Sequence, residues 1–511
     1  MPLHAAWTVA RWRINSEPLI TKLPLPESFE AGYLEFNGVL PLEIADGHLR
    51  VAVAGEPAIE VLDDLELSYG VPLVTEPVSA EALGDGIRRA FAAAESVVEL
   101  VRDLDAEVAP AGDGADAPLA DARDLANQPP VIRFVNLLIR EAHDARASDI
   151  HLESTREGLH VRFRVDGVLM DVPSPPRGLQ AAVVSRVKLL AELDIAERRQ
   201  PQDGRIRVRL EERELDLRVS TVPTLYGESV VLRLLDRGGR PVALDELGMG
   251  PETLERFRSL ALRPHGILLS TGPTGSGKTT TLYAALGLRQ RTVEKIITVE
   301  DPVEYHLDGI TQVPVNRKVN MTFAAALRSI LRQDPDVLMV GEMRDAETAQ
   351  TAVQAAMTGH LVFSTLHTND AVGALARLLD LKVEAYLVAA TLEGVLAQRL
   401  VRRICADCRE AYRPDPQAVA LLAQRPVGGL TLQRGKGCSS CRGTGYRGRT
   451  GIFELLVVTD EVKQAVGRLV PAGELRELAE VQGMVTLRQD GWARVQAGLT
   501  TVEEVLRVTE R

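Results

Sequence analysis

Residues 272–279, Gly272-Pro273-Thr274-Gly275-Ser276-Gly277-Lys278-Thr279, carry the spacing Gly-x4-Gly-Lys-Ser/Thr. Glycines at those positions let backbone N–H groups converge on a phosphate chain, and a helix N-terminus behind them adds positive potential. In such a turn Lys278 reaches the β- and γ-phosphates, and the Thr279 hydroxyl takes a position on Mg²⁺. The plain alternative is a glycine-rich turn with a solvated lysine. Context weighs against it, because the apolar run 267–269 reads as a buried strand leading in and 280–286 as a helix leading out. A nucleoside triphosphate site is expected.

Other residues could complete that chemistry. The apolar run 296–299 ends in Glu300-Asp301-Pro302-Val303-Glu304. Three carboxylates where a strand opens into a loop suggest a base that positions water beside the γ-phosphate. The run 337–340 ends in Gly341-Glu342, a Walker B arrangement with Glu342 where many P-loop proteins have Asp, suited to holding Mg²⁺ directly or through water. Thr358-Gly359-His360 leads through 361–363 to Ser364-Thr365-Leu366-His367-Thr368. Polar groups at that strand end can respond to the γ-phosphate, although for either histidine alone a structural hydrogen bond is the plainer reading. Arg233 interrupts the apolar stretch 230–235. It is costly there unless it meets an anion, the ordinary alternative being an ion pair with Asp216 or Glu228. Arg218 shares a strand face with Asp216, opposite Leu215, Leu217 and Val219.

The four cysteines form two CxxC units, Cys405/Cys408 and Cys438/Cys441, with 29 residues (409–437) between them. Such spacing suits one tetrahedral Zn²⁺ better than disulfides, with two redox pairs as the alternative.

The chain has 511 residues, enough for about three or four domains. Its 45% hydrophobic and 25% charged residues describe ordinary globular material. A net charge of −12 leaves no general nucleic-acid coating and no nucleic-acid partner expected. No run approaches the ~18 apolar residues of a membrane span, and Met1 to Trp7 are followed by Arg11 and Arg13, not by an apolar leader core. A cytoplasmic chain is expected, with any membrane association made through a partner.

Four segments would position these groups. Residues 1–106 read as a small α/β domain, with a hairpin from 39–44 through Asp46-Gly47 to 49–53 and a closing helix over about 87–108. Residues 107–129 read as a flexible linker rich in Ala, Gly, Asp and Pro. Residues 130–236 read as a second α/β domain that opens with a helix behind Pro129-Pro130 and has a hairpin across Asp166-Gly167. Residues 237–511 hold the nucleotide domain, with the cysteine module over 399–455 and helices over 472–481 and 501–508.

Taken together, these boxes resemble the secretion ATPases of the type II secretion and type IV pilus assembly superfamily. The similarity covers residues 130–511: the P-loop, Glu300 to Glu304 as the aspartate box, Gly341-Glu342-Met343-Arg344-Asp345 as Walker B, Gly359 to His367 as the histidine box, the four cysteines and Ser148-Asp149-Ile150-His151. Gln398-Arg399-Leu400-Val401-Arg402 and Gly443-Thr444-Gly445-Tyr446 are similar to the type II secretion, general secretory pathway protein E, group. The resemblance implies a RecA-like P-loop ATPase core preceded by a PAS-like α/β domain. It also implies a small N-terminal α/β domain and a zinc-binding insertion. It implies a homo-hexamer using ATP, Mg²⁺ and Zn²⁺, peripheral at the inner membrane, that powers pseudopilus assembly and protein export. A type IV pilus assembly ATPase is the alternative. Implied partners are the cytoplasmic part of a bitopic inner-membrane secretion protein, through residues 1–106, and a polytopic inner-membrane platform protein. By the same likeness Glu304 is the catalytic glutamate, His367 belongs to the catalytic set, and Arg218 and Arg233 reach the γ-phosphate. The short tether, 236–245, favours their acting on the chain's own P-loop. Leu381-Lys382-Val383 lacks the Gly usual after the histidine box, so an altered turn is expected there.

Overall fold

The computed structural model describes residues 29, 31–45, 47–55, 57–93, 97–98, 100–102, 126–210, 213–236, 242–425 and 429–509. Residues 1–28, the turn residue Asp46, most of the expected linker (107–125) and the middle of the expected tether (237–241) lie outside them. The chain divides into two compact units. One holds residues up to 234 without 166–168 and 207–216, and the other holds those two segments with 235–511.

The first unit begins with helix Ala31–Asn37, strands β1 (Val39–Ala45) and β2 (His48–Val53), helix Ile59–Tyr69, strand β3 (Leu73–Pro77) and helix Ala80–Ala93. The hairpin is where the sequence puts it, with β1 and β2 antiparallel, while β3 adds in parallel on the far side of β2. Leu34, Leu40, Leu49, Val51, Leu65 and Ile87 fill the core beneath. The closing helix starts seven residues before the expected Ile87, because the Ser79 hydroxyl accepts from the Ala82 N–H at 3.1 Å and satisfies a donor of the first turn.

Helix Pro129–Asp144 follows, its prolines in the first turn where no intrahelical N–H is needed. Behind it come β4 (Ala147–Thr155), β5 (Gly158–Val165), β6 (Val168–Val172), helix Gln180–Leu190, β7 (Gln202–Leu210), β8 (Arg213–Thr224) and β9 (Gly227–Asp236). They make a six-stranded sheet in the order β6-β5-β4-β9-β8-β7. Lys188 on the helix is 1% exposed and pairs with Glu228 of β9 at 2.8 Å, while also donating to the Glu197 carbonyl at 2.6 Å. Removing one partner of such a pair strands the other charge, whereas replacing both by apolar groups does not. Lys188→Ala is therefore expected to destabilise this unit by about 3–5 kcal/mol in denaturant titrations, and Lys188→Met with Glu228→Leu to recover most of the loss. Equal losses in both would show that the helix packing, not the stranded carboxylate, sets the cost.

The second unit is built on β10 (Gly266–Thr271), β11 (Ile296–Glu300), β12 (Thr311–Pro314), β13 (Val337–Val340), β14 (Leu361–Leu366), β15 (Leu392–Ile404) and β18 (Tyr446–Val457), with the small pair β16 (Arg409–Tyr412) and β17 (Leu432–Gly435) inserted. The order is β12-β11-β13-β14-β10-β15-β18, parallel except for β18. Ile267, Leu269, Ile297, Val299, Leu338 and Val340 pack on one face. Leu268, Ile296, Val337, Met339, Leu361 and Phe363 pack on the other. Both faces are covered, which explains why these strands read as unbroken apolar runs. In the segment 381–383, which has no Gly, Lys382 adopts φ +62° and the turn still closes, with Val383 N–H donating to the Leu378 carbonyl at 3.1 Å. A non-glycine residue there costs about 1–2 kcal/mol of backbone strain and leaves the chain path intact.

Candidate active site and cysteine cluster

In parallel sheets of this kind, ligands gather beyond the C-terminal strand ends. Here β10 runs into Gly272, β14 into His367, β13 into Gly341-Glu342 and β11 into the loop of Glu304, on strands in the order β11-β13-β14-β10. Thr271 lies opposite Leu366, and Val340 opposite Ser364, so these ends come level.

Gly272, Gly275 and Gly277 take φ of +148°, +78° and +88°. A Cβ on Gly272 would sit 2.6 Å from the Gln398 carbonyl, so the loop admits no side chain there. Helix Lys278–Leu286 starts at once behind Gly277. Pro273, Thr274 and Gly275 are exposed, Thr279 is half-buried, and Ser276 is buried. The Lys278 ammonium is held by the carbonyls of Gly272 at 2.8 Å and Pro273 at 3.0 Å. Burial pulls its pKa down to about 8; Glu342 opposes the shift and Arg399 adds to it. Positive-φ glycines, a helix N-terminus and a poised cation are the cradle a polyphosphate requires.

Glu342 is mostly buried and pairs with Arg344 at 2.6 Å, with His367 Nε2 at 3.6 Å from the same carboxylate oxygen. Burial and the neighbouring Lys278 hold the His367 pKa below its ordinary value, with Glu342 opposing. The imidazole is thus neutral at pH 7. His360 instead bonds the Ala355 carbonyl at 2.8 Å and the Thr358 hydroxyl at 3.1 Å, the structural role that suits a lone histidine. Hydroxyls of Ser364 and Thr365 reach the Val340 and Gly341 carbonyls, each at 2.7 Å, and tie β14 to the strand bearing Glu342.

The three acids after β11 are not equivalent. Glu300 is 2% exposed and turned inward, accepting from Thr298 at 2.6 Å and from Tyr283. Asp301 pairs with Arg317 at 3.2 Å. Glu304 alone points to solvent without such a tie among the described residues.

In the first unit, Arg233 lies opposite Asp149 on β4 and pairs with it at 2.9 Å, while more than half exposed. Its partner is therefore neither Asp216 nor Glu228, the latter being taken by Lys188. Arg218 is half-buried on β8.

Sequence reasoning gave no role to Gln398, whose side-chain carbonyl accepts from Ser270 at 3.0 Å and whose amide donates to the Ser276 carbonyl at 2.7 Å, bracing the loop from β15. The one signal was a Gln-Arg pair inside a strand otherwise apolar from 395 to 401.

The four cysteine sulfurs lie within 4.8 Å of one another. Cys405 and Cys438 sulfurs are 3.9 Å apart, Cys408 and Cys441 3.8 Å, and Cys438 and Cys441 3.7 Å. A tetrahedral ion with ~2.3 Å Zn–S bonds spaces its ligands about 3.8 Å apart, which these three separations match. Burial would raise the Cys441 thiol, but N–H donors from Cys438 at 3.1 Å and Gly445 at 3.2 Å outweigh it and bring its pKa to about 6. None of the four is disulfide-bonded.

A covered parallel sheet with a phosphate cradle on one strand end and a carboxylate two strands away defines a P-loop nucleoside triphosphatase of RecA-like build. The chain belongs to the Type II/IV secretion system protein family, whose profile matches residues 124–507. It is 47% identical over 492 residues to the type II secretion system protein E of Xanthomonas campestris pv. campestris, covering 96% of this chain and 86% of that protein. It is 52% identical over 382 residues to the type II secretion system ATPase E of Vibrio cholerae serotype O1, covering 75% and 76%. The Yersinia pseudotuberculosis ATPase DotB shares the fold, with a TM-score of 0.54 at 21% identity over 74% of this chain and 93% of that one.

Proposed function

We propose that this chain is a Mg²⁺-dependent ATPase that powers pseudopilus assembly and protein export by a type II secretion system. The observation that carries this is the meeting of Lys278, Glu342 and His367 at adjoining strand ends: His367 comes within 3.6 Å of Glu342, Glu342 favours the Lys278 ammonium, and Lys278 in turn lowers the His367 pKa. Backbone N–H groups of 272–279 cradle the phosphates, and Lys278 neutralises charge developing on the γ-phosphoryl oxygens. Glu342 and Thr279 would hold Mg²⁺, which would supply neutralisation of the phosphate charge. Glu304 takes a proton from the attacking water, and the neutral His367 reads the γ-phosphate from β14. Arg218 and Arg233 add positive charge to the transition state; for Arg233 this means release from Asp149. The 47–52% identity to proteins named for type II secretion supports the client assignment.

The working form is a homo-hexamer in the cytoplasm, peripheral at the inner membrane. Residues 1–106 dock on the cytoplasmic part of a bitopic secretion protein, and a polytopic platform protein receives the motion. The test is Mg²⁺-dependent phosphate release by the purified chain, paired with restoration of export in a strain lacking its own secretion ATPase. Absence of phosphate release would overturn the reading, and release without restored export would overturn the client.

We also propose that Cys405, Cys408, Cys438 and Cys441 hold one Zn²⁺ as thiolates. Elemental analysis of the purified chain is expected to return about one zinc per chain, with Cys438→Ala losing it and lowering solubility more than nucleotide affinity. Four titratable thiols and no metal in the native protein would overturn the assignment.

A further inference from the structure

Glu304 is exposed, yet the chain on either side of it is held from within. Helix Lys278–Leu286 carries Tyr283, which is 1% exposed. Its hydroxyl donates to the inward carboxylate of Glu300 and accepts from the Gln312 amide at 3.4 Å. Gln312, on β12, donates to Glu300 Oε1 at 3.2 Å and to the Tyr305 carbonyl at 3.1 Å, and its own carbonyl accepts from the Leu307 N–H at 2.8 Å. Thr298 donates to Glu300 at 2.6 Å, and the Tyr305 ring stands edge-on to Tyr283 at 4.7 Å. Burial raises the pKa of Glu300, with its hydrogen bonds to Thr298, Tyr283 and Gln312 opposing.

A buried network of this kind is wasteful as mere core filler. Four polar side chains from three elements meet here, Tyr283, Thr298 and Glu300 of them buried, and an apolar set would pack as well at lower cost. What the polar set adds is direction, since it ties residues 300, 305 and 307, on both sides of Glu304, to the same helix that begins with Lys278.

We infer that Tyr283 and Gln312 are positioning residues for Glu304, holding its main chain at a fixed height from the P-loop through the buried Glu300 carboxylate. The inference rests on the reading of Glu304 as the catalytic base. Glu304 and Lys278 then move as one body, and the carboxylate meets the attacking water without a search of loop conformers. A displacement of about 1 Å from such a geometry can cost on the order of 10²-fold in turnover.

The test uses the full chain with Mg·ATP and compares Tyr283→Phe, Gln312→Leu and Glu304→Gln, singly and paired. Tyr283→Phe and Gln312→Leu are each expected to lower kcat by roughly tenfold or more, with the KM for ATP within about twofold of wild type. In the Glu304→Gln background neither should lower kcat further, because both act through that carboxylate. A wild-type kcat in Tyr283→Phe would overturn the inference. So would full multiplication of its loss with that of Glu304→Gln, or a loss confined to KM. Should Tyr283→Phe fail to fold, Gln312→Asn, which withdraws the same amide by one methylene, carries the comparison. Wild-type turnover in Glu304→Gln alone is a separate outcome: it removes the base and this inference with it, whereas a slow Glu304→Gln beside a normal Tyr283→Phe removes the inference alone.

Discussion

Lys278→Ala is expected to slow ATP hydrolysis by on the order of 10³-fold and to abolish export, while the melting transition stays where it was. The catalytic loss follows from removing the one ammonium seated inside the glycine turn, at hydrogen-bond distance from the Gly272 and Pro273 carbonyls. The retained stability follows from the direction of its pKa. Burial holds it near 8, below the ordinary lysine value, so the folded state disfavours the charged form. That penalty is fully present below about pH 8 and vanishes as pH rises toward the unfolded lysine pKa, so at neutral pH the alanine variant gives up nothing that holds the fold together. The same direction predicts that nucleotide affinity weakens as pH climbs through about 8 and the ammonium is lost. Near-normal turnover in the variant would remove the phosphate-site assignment.

Glu304→Gln should lower kcat by roughly 10²–10⁴-fold and leave ATP binding in place, since the amide keeps the shape and loses the basicity. Glu342→Gln should behave differently, shifting the Mg²⁺ dependence to higher concentration, because its carboxylate sits among Arg344, His367 and Lys278 where a cation would be held. Steady-state rates against Mg²⁺ concentration, with binding of a fluorescent nucleotide measured in parallel, separate the two. Equal loss of binding in both variants would mean that the two acids share one role.

What the sequence made legible was whatever has a local cause. The strands of the second unit, the glycine turn and the helix behind it follow from apolar runs and residue types within a few positions of one another. The cysteine cluster follows from two short spacings. The limits appear where a partner comes from far along the chain. Arg233 meets Asp149 across 84 positions, and no local pattern distinguishes that acid from Asp216 or Glu228. Glu300 and Glu304 read alike as carboxylates after a strand, and the distant Tyr283 hydroxyl and Gln312 amide join Thr298 in turning Glu300 to the core while Glu304 faces solvent. The bracing role of Gln398 is hidden for the same reason, since its partners lie 128 and 122 positions earlier. The turn at Lys382 shows the opposite limit. A missing glycine changes what the turn costs rather than whether it forms.

The strand β15 has a mechanical consequence. Gln398 grips the phosphate turn, and seven positions further on, about 23 Å along an extended strand, the same backbone delivers Cys405 to the sulfur cluster. Its partner β18 runs alongside from Val457 back to Tyr446, just past the second pair of cysteines, and Arg402 stacks over the Tyr446 ring at 4.1 Å. The two strands form a stiff rod with the nucleotide turn gripped partway along it and the cysteine knuckles near its end. A bound ion would then act as a ferrule, keeping the rod's end from splaying under load. Without it the motor is expected to keep hydrolysing ATP yet slip, so that export falls further than ATP turnover does.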